Sequence, residues 1–162
     1  NESSAVELED GRVMINSRAY RDDVGVGCRA VTMVGFDGDG QLHYEGTNYD
    51  RTLTDPAVQG SIIRYTRSDE PNSGGRSRIL FTNPNHPRAR VNLMVRLSYD
   101  EGRTWAHSKT VDRGPAAYSD LVIQQDGRIG VLYERGNQGG IAYVDFDLEW
   151  LTDGADRLDT LT

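Results

Sequence analysis

At 162 residues the chain is long enough for one domain with a real core, and 36% hydrophobic with 27% charged residues excludes disorder by composition. No run approaches the roughly 18 apolar residues a membrane helix needs. A formal net charge of −7 and a pI of about 4.9 leave no basic footprint for nucleic acid.

The 18 basic residues include one lysine, Lys109. Arginine suits a planar, bidentate grip on carboxylates, although such a bias also arises from genomic composition. Cys28 is the only cysteine, which rules out an intramolecular disulfide and a clustered-cysteine metal site; it reads as a small buried strand residue. The chain begins at Asn1 rather than Met, as a processed chain or a fragment would.

Alternation, not helical periodicity, dominates. Ser4–Leu8 runs into the turn Glu9-Asp10-Gly11, and Arg12–Arg18 follows as a second strand; Asp-Gly between such runs is a strong hairpin signal. Arg29–Val34 reads as a third strand, ended by Asp37-Gly38-Asp39-Gly40, and Leu42–Tyr44 as a short fourth. The pattern restarts with Ser61–Tyr65, Arg78–Thr82, Val91–Ser98 and Thr104–Val111. It restarts again with Tyr118–Ile123, Ile129–Tyr133 and Ile141–Phe146. Units of roughly 50 residues with three or four strands each predict an all-β, propeller-like repeat of about three antiparallel blades.

Ser98-Tyr99-Asp100-Glu101-Gly102-Arg103-Thr104-Trp105 reads S-x-D-x-G-x-T-W, an Asp-box. Its role is structural: Asp100 accepts hydrogen bonds from turn amides, Gly102 supplies a positive φ, and Trp105 plugs apolar surface. Gly35–Gly40 looks like a worn copy without the tryptophan.

Three further segments carry a resemblance. They are Asn1–Arg18; the stretch Phe81–Leu93, which contains Asn83-Pro84-Asn85-His86-Pro87; and Ala117-Tyr118-Ser119-Asp120-Leu121 with Asp126-Gly127 and Leu132-Tyr133-Glu134. In family order and over nearly the whole chain, they resemble the exo-sialidases, closest to the bacterial and lysosomal-type branches. The resemblance implies three blades of a six-bladed propeller, the C-terminal half of a catalytic domain spanning 1–162. It implies hydrolysis of terminal α-linked sialic acid with retention. Tyr118 matches the nucleophile and Glu2 the acid that takes its proton. Arg18 and Arg90 match two of three arginines that clamp the substrate carboxylate. Glu134 matches the glutamate that braces the first arginine of that trio. No cofactor and no metal is implied.

The chemistry supplies reasons for these residue types. Most glycosidases use two carboxylates, and a Tyr nucleophile is the sialidase exception. Sialic acid carries a carboxylate on its anomeric carbon, so a carboxylate nucleophile would meet about 4 kcal/mol of repulsion at about 4 Å and an effective dielectric of 20. A neutral phenol avoids this, but only about one in 10⁴ is ionised near pH 6, so it needs a base. Without the motifs, Tyr118 would be an ordinary aromatic at a strand start, Glu2 and Glu134 solvated carboxylates, and Arg18 and Arg90 surface strand residues. His86 stays an exposed loop histidine on either reading.

By the resemblance, one clamp arginine and an aspartate acid/base belong to earlier blades. The chain is therefore expected to need an N-terminal half in cis, or a second copy, and to be inactive alone. The expected partners are sialylated glycoproteins, glycolipids and oligosaccharides, with no nucleic acid and no membrane span. Such substrates favour a secreted, cell-surface or lysosomal-type setting. The alternative is a propeller module that grips sialic acid or another acidic glycan without turnover.

Overall fold

The structure is a computed structural model that describes residues 2–20, 27–136 and 139–159. Its strands fall into three antiparallel sheets. The first holds β1 (Ser3–Glu7), β2 (Val13–Ser17), β3 (Cys28–Phe36) and β4 (Leu42–Thr54), in that order. The second holds β5 (Ser61–Thr66), β6 (Arg78–Pro84), β7 (Val91–Ser98) and β8 (His107–Pro115). The third holds β9 (Ser119–Ile123), β10 (Ile129–Glu134) and β11 (Ile141–Phe146), and the one helix among the described residues, α1 (Leu148–Leu151), follows. This is the all-β, three-bladed arrangement expected, with a three-stranded last blade.

Two strands depart furthest from expectation, the others by no more than two residues at their ends. β4 runs through Thr54 instead of stopping at Tyr44, with register shifts at Cys28/Arg29 and Met33/Val34 that let a long strand bend along its partner. Gly46, at a φ of 142°, interrupts the alternation that would otherwise have revealed its length. β8 starts at His107, because Arg103–Ala106 are consumed by the Asp-box turn and its re-entry.

Blades stack through their faces. Val6, Leu8, Met14, Leu53, Ile62, Ile79 and Phe81 form the core between the first and second sheets. Leu80, Leu93, Val95, Leu97, Leu121, Ile129 and Val131 form the larger core between the second and third. β6 lies in the middle of the middle sheet, and all seven of its residues are buried, including Thr82 and Asn83. Each fully buried Leu, Ile or Phe there contributes about 1.5–3 kcal/mol of transfer free energy.

The Asp-box closes the β7–β8 turn as its residue types require. Asp100 Oδ1 accepts the Thr104 amide at 2.8 Å, and its Oδ2 accepts the Thr104 hydroxyl at 2.7 Å. Ser98 Oγ accepts the Gly102 amide at 2.8 Å, and Gly102 sits at φ +77°. The Trp105 ring leans on Phe81 with centroids 5.8 Å apart, and its indole N–H donates to Asp50 at 3.3 Å. Asp37 repeats the device in the worn copy, accepting the Gln41 amide at 2.8 Å.

Candidate active site

Antiparallel order puts the starts of β1, β5, β7 and β9 and the ends of β2, β6 and β10 at one end of the blades. The sequence-predicted site residues all lie there. Glu2 precedes β1, Arg18 follows β2, Arg90 precedes β7, Tyr118 precedes β9, and Glu134 ends β10. The Asp-box lies at the opposite end, so folding motif and candidate chemistry are separated. Asn1, where the first matching segment begins, lies outside the described residues.

Glu2, Arg18 and Tyr118 meet directly although 116 residues of chain separate the first from the last. The Tyr118 hydroxyl donates to Glu2 Oε1 in a short hydrogen bond. Arg18 Nη1 donates to Glu2 Oε2 at 2.7 Å. The Arg18 amide also donates to the Glu2 carbonyl at 2.9 Å, which holds the two backbones together beside the β1–β2 pair. The Arg90 guanidinium lies 5.7 Å from the centre of the Tyr118 ring. Among the described residues no carboxylate pairs with Arg90, which is exposed.

The electrostatics follow from these contacts. The Arg18 hydrogen bond, then the Tyr118 hydrogen bond, hold the Glu2 carboxyl below the usual carboxylate range. The Glu2 hydrogen bond raises the Tyr118 phenol above its ordinary value. The resting pair is therefore a carboxylate that receives a proton-bearing phenol, not a preformed phenolate. The bond points the phenol proton at its acceptor, so attack by the oxygen and loss of the proton can be concerted.

Glu134 sits beside the same tyrosine. Its Oε2 accepts the Tyr118 amide at 3.4 Å, and its own amide donates to the Tyr118 carbonyl at 2.9 Å. Among the described residues no arginine pairs with it. His86 turns inward on its own loop, where Nδ1 accepts the Ala89 amide at 2.8 Å. Cys28 is buried at the start of β3, and burial pushes its thiol up, away from a reactive thiolate. An open depression of about 520 Å³ adjoins Tyr118 and Glu134, with Ser3, Gln59 and Asp120 on its walls.

Sequence reasoning missed the polar layer beneath this cluster. Arg29 is fully buried and bonded to Asn16 and Asp55, while Arg96 is buried against Asn83 and Asn85. The one available signal was a polar residue at an inward position of an otherwise apolar strand, as in Val95-Arg96-Leu97. Among the described residues no group of three or more His, Cys, Asp or Glu is arranged to hold a metal ion, and no helix is long and apolar enough to cross a membrane.

No family model matches the chain. In sequence it is 40% identical over 152 residues, 93% of its length, to a sialidase of Micromonospora viridifaciens, and 30% identical over 155 residues to a sialidase of Bacteroides fragilis. It spans only 22% and 26% of those two proteins. In structure it superposes on the intramolecular trans-sialidase of Ruminococcus gnavus, in complex with oseltamivir carboxylate, with a TM-score of 0.73 at 22% identity. That match covers 93% of this chain and 33% of the other. It also superposes on the Hadza microbial sialidase Hz136 with a TM-score of 0.71 at 25% identity, covering 92% of this chain and 28% of the other. Over the stretch it shares with these proteins, the chain matches the sialidases in sequence and has their blade fold.

Proposed function

We propose that the protein is an exo-sialidase that releases terminal α-linked sialic acid with retention, through a Tyr118 nucleophile and a Glu2 base. The observation that carries this is the Tyr118–Glu2–Arg18 chain of hydrogen bonds with Arg90 beside the tyrosine ring. A lectin needs the arginines, but it has no use for a phenol hydrogen-bonded to a carboxylate.

The roles follow from the chemistry. Arg90, with no carboxylate paired to it among the described residues, takes the substrate carboxylate, and Arg18 shares its charge between that group and Glu2. The Tyr118 oxygen attacks the anomeric carbon while its proton passes to Glu2, forming a glycosyl–tyrosine bond as the aglycone oxygen leaves. Water then cleaves that bond, giving a proton to the acid group that had protonated the leaving aglycone oxygen, as Glu2 returns its proton to the phenol. A positioned base of this kind contributes about 10²–10⁴-fold. By the resemblance, the acid that protonates the leaving oxygen and a third clamp arginine lie outside the matched segments. Full activity is then a property of a complete propeller.

The test is Tyr118→Phe in the intact protein. Turnover of a fluorogenic sialoside should fall by at least about 10²-fold, with affinity for the sialic acid glycal largely kept. A 2,3-difluoro sialic acid should label Tyr118 covalently in the wild type. Labelling of a carboxylate instead, or full turnover by Tyr118→Phe, would refute the mechanism. Binding without any turnover by the intact wild type would favour the glycan-binding module.

A further inference from the structure

The buried polar layer under the site touches three of its segments at once. Arg29 starts from β3 and donates through Nε to Asn16 Oδ1 at 2.6 Å, two residues before Arg18. The same guanidinium donates to Asp55 Oδ1 at 3.2 Å and to the Val58 carbonyl. Val58 is followed by Gln59, whose Oε1 accepts the Ser119 amide at 3.0 Å, next to Tyr118. Asp55 Oδ1 also accepts from the Asn83 side chain at 3.1 Å. Asn83 in turn accepts from Arg96 at 2.9 Å, and Arg96 donates to Asn85 Oδ1 at 2.8 Å, at the start of the loop that carries Arg90.

This layer is costly to build, so an account of it is needed. Arg29 and Asp55 are exposed by 0% and 1%, and the price of desolvating such a pair often exceeds its Coulombic gain. Arg96 is also buried and has no carboxylate partner among the described residues, and burial pushes its pKa down to about 10. The turn that supplies Asp55 holds Ala57 at φ 57°, a left-handed conformation that a non-glycine residue adopts at a cost. Apolar packing would hold the blades together without any of this. What hydrogen-bonded arms add is direction and register.

We propose that the Arg29–Asp55 pair is a positioning hub whose three hydrogen-bonded arms set Arg18, Arg90 and Tyr118 relative to one another. One arm runs through Asn16 to the end of β2. A second runs through Val58 and Gln59 to the start of β9. The third runs through Asn83, Arg96 and Asn85 to the Arg90 loop. The hub spans the seam between the first and second blades and reaches the third through Gln59. Its kinetic consequences rest on the sialidase reading; its mechanical ones do not.

Each arm has its own signature in the intact protein. Gln59→Leu should lower kcat for a fluorogenic sialoside about tenfold with KM within twofold, because it loosens the nucleophile. Gln59→Glu keeps an acceptor for the Ser119 amide and should restore kcat. Asn83→Ala should raise KM about tenfold with kcat within threefold, because it loosens the Arg90 clamp. General damage lowers the apparent kcat in proportion to the folded fraction and leaves KM unchanged, so kcat is taken per folded molecule, counted by circular dichroism of the same sample. Hydrogen–deuterium exchange reads the hub without substrate. Arg29→Met should speed exchange in 16–20, 85–92 and 117–120 together, and if it does not fold, Gln59→Leu and Asn83→Ala should each speed exchange in their own segment. An intact wild type that turns over no sialoside would refute the sialidase reading, and exchange alone would then decide. Exchange unchanged at the far end of a severed arm, or no KM-against-kcat split in an active enzyme, overturns the hub.

Discussion

Glu101→Gln tests the tie between the first two blades at the Asp-box end. Both Glu101 oxygens accept from Arg64, each at 2.7 Å, and one also accepts the Glu9 amide at 2.8 Å while the other takes the Ser77 hydroxyl. With side chains exposed by only 14% and 21%, the pair is shielded from screening. Desolvation pushes the Glu101 carboxyl up, but the bonds from Arg64, Ser77 and Glu9 outweigh it and bring the pKa from 4.5 down to about 2. At about 1.4 kcal/mol per pKa unit, that difference is worth at most roughly 3.5 kcal/mol when the carboxylate is ionised, less the share that solvent screens.

The folded pKa is depressed, so this stability is present above pH 4.5 and is lost as pH falls toward 2. Glu101→Gln should cost about 2–3 kcal/mol at pH 7, since it also leaves Arg64 without a counter-charge. A domain of this size then melts roughly 4–12 °C lower. Calorimetry of both proteins from pH 7 to pH 2 should show the gap closing in the acid range. Equal melting temperatures at pH 7, or a gap that persists to pH 2, would refute the reasoning.

Three further outcomes are expected. Arg90→Lys should weaken sialic acid binding by about 10- to 150-fold in calorimetry, because a point charge cannot replace a bidentate fork. Removing Arg18 by Arg18→Met lifts the main influence that depresses Glu2, so the acid limb of the kcat/KM profile should move to higher pH. Gly102→Ala should destabilise by about 1–2 kcal/mol in thermal melts, since a Cβ at φ +77° would also fall 2.5 Å from the Met14 methyl.

Much was legible before any coordinates. Asp10-Gly11 and Asp126-Gly127 mark tight hairpins because a positive φ is cheap only for glycine, and both glycines take φ +83°. The Asp-box announced its own hydrogen bonds because they are local, closing within six residues. The hidden features were those that depend on distant chain. β4 was under-read because bulges and an interior glycine break its alternation. The role of Glu101 was invisible because its partners are 24 to 92 residues away.

The candidate site divides the same way. Residue types in order, Glu2, Arg18, Arg90, Tyr118 and Glu134, carried a family resemblance that the sequence and fold matches bear out at the level of the family. The resemblance implied the Tyr118–Glu2 partnership, but types in order without it cannot tell that the Tyr118 proton points at Glu2, and nothing in the sequence told that Glu134 takes the Tyr118 amide. Nor can they separate Arg96, locked under the site, from Arg90, open above it. By itself the sequence determined most of the strands and their turns, because those rest on period-two patterning and local turn chemistry, and its motifs supplied the list of candidate groups. Only the tertiary structure decided which groups meet, because the stacking of blades brings residues 116 apart in the chain into one hydrogen bond.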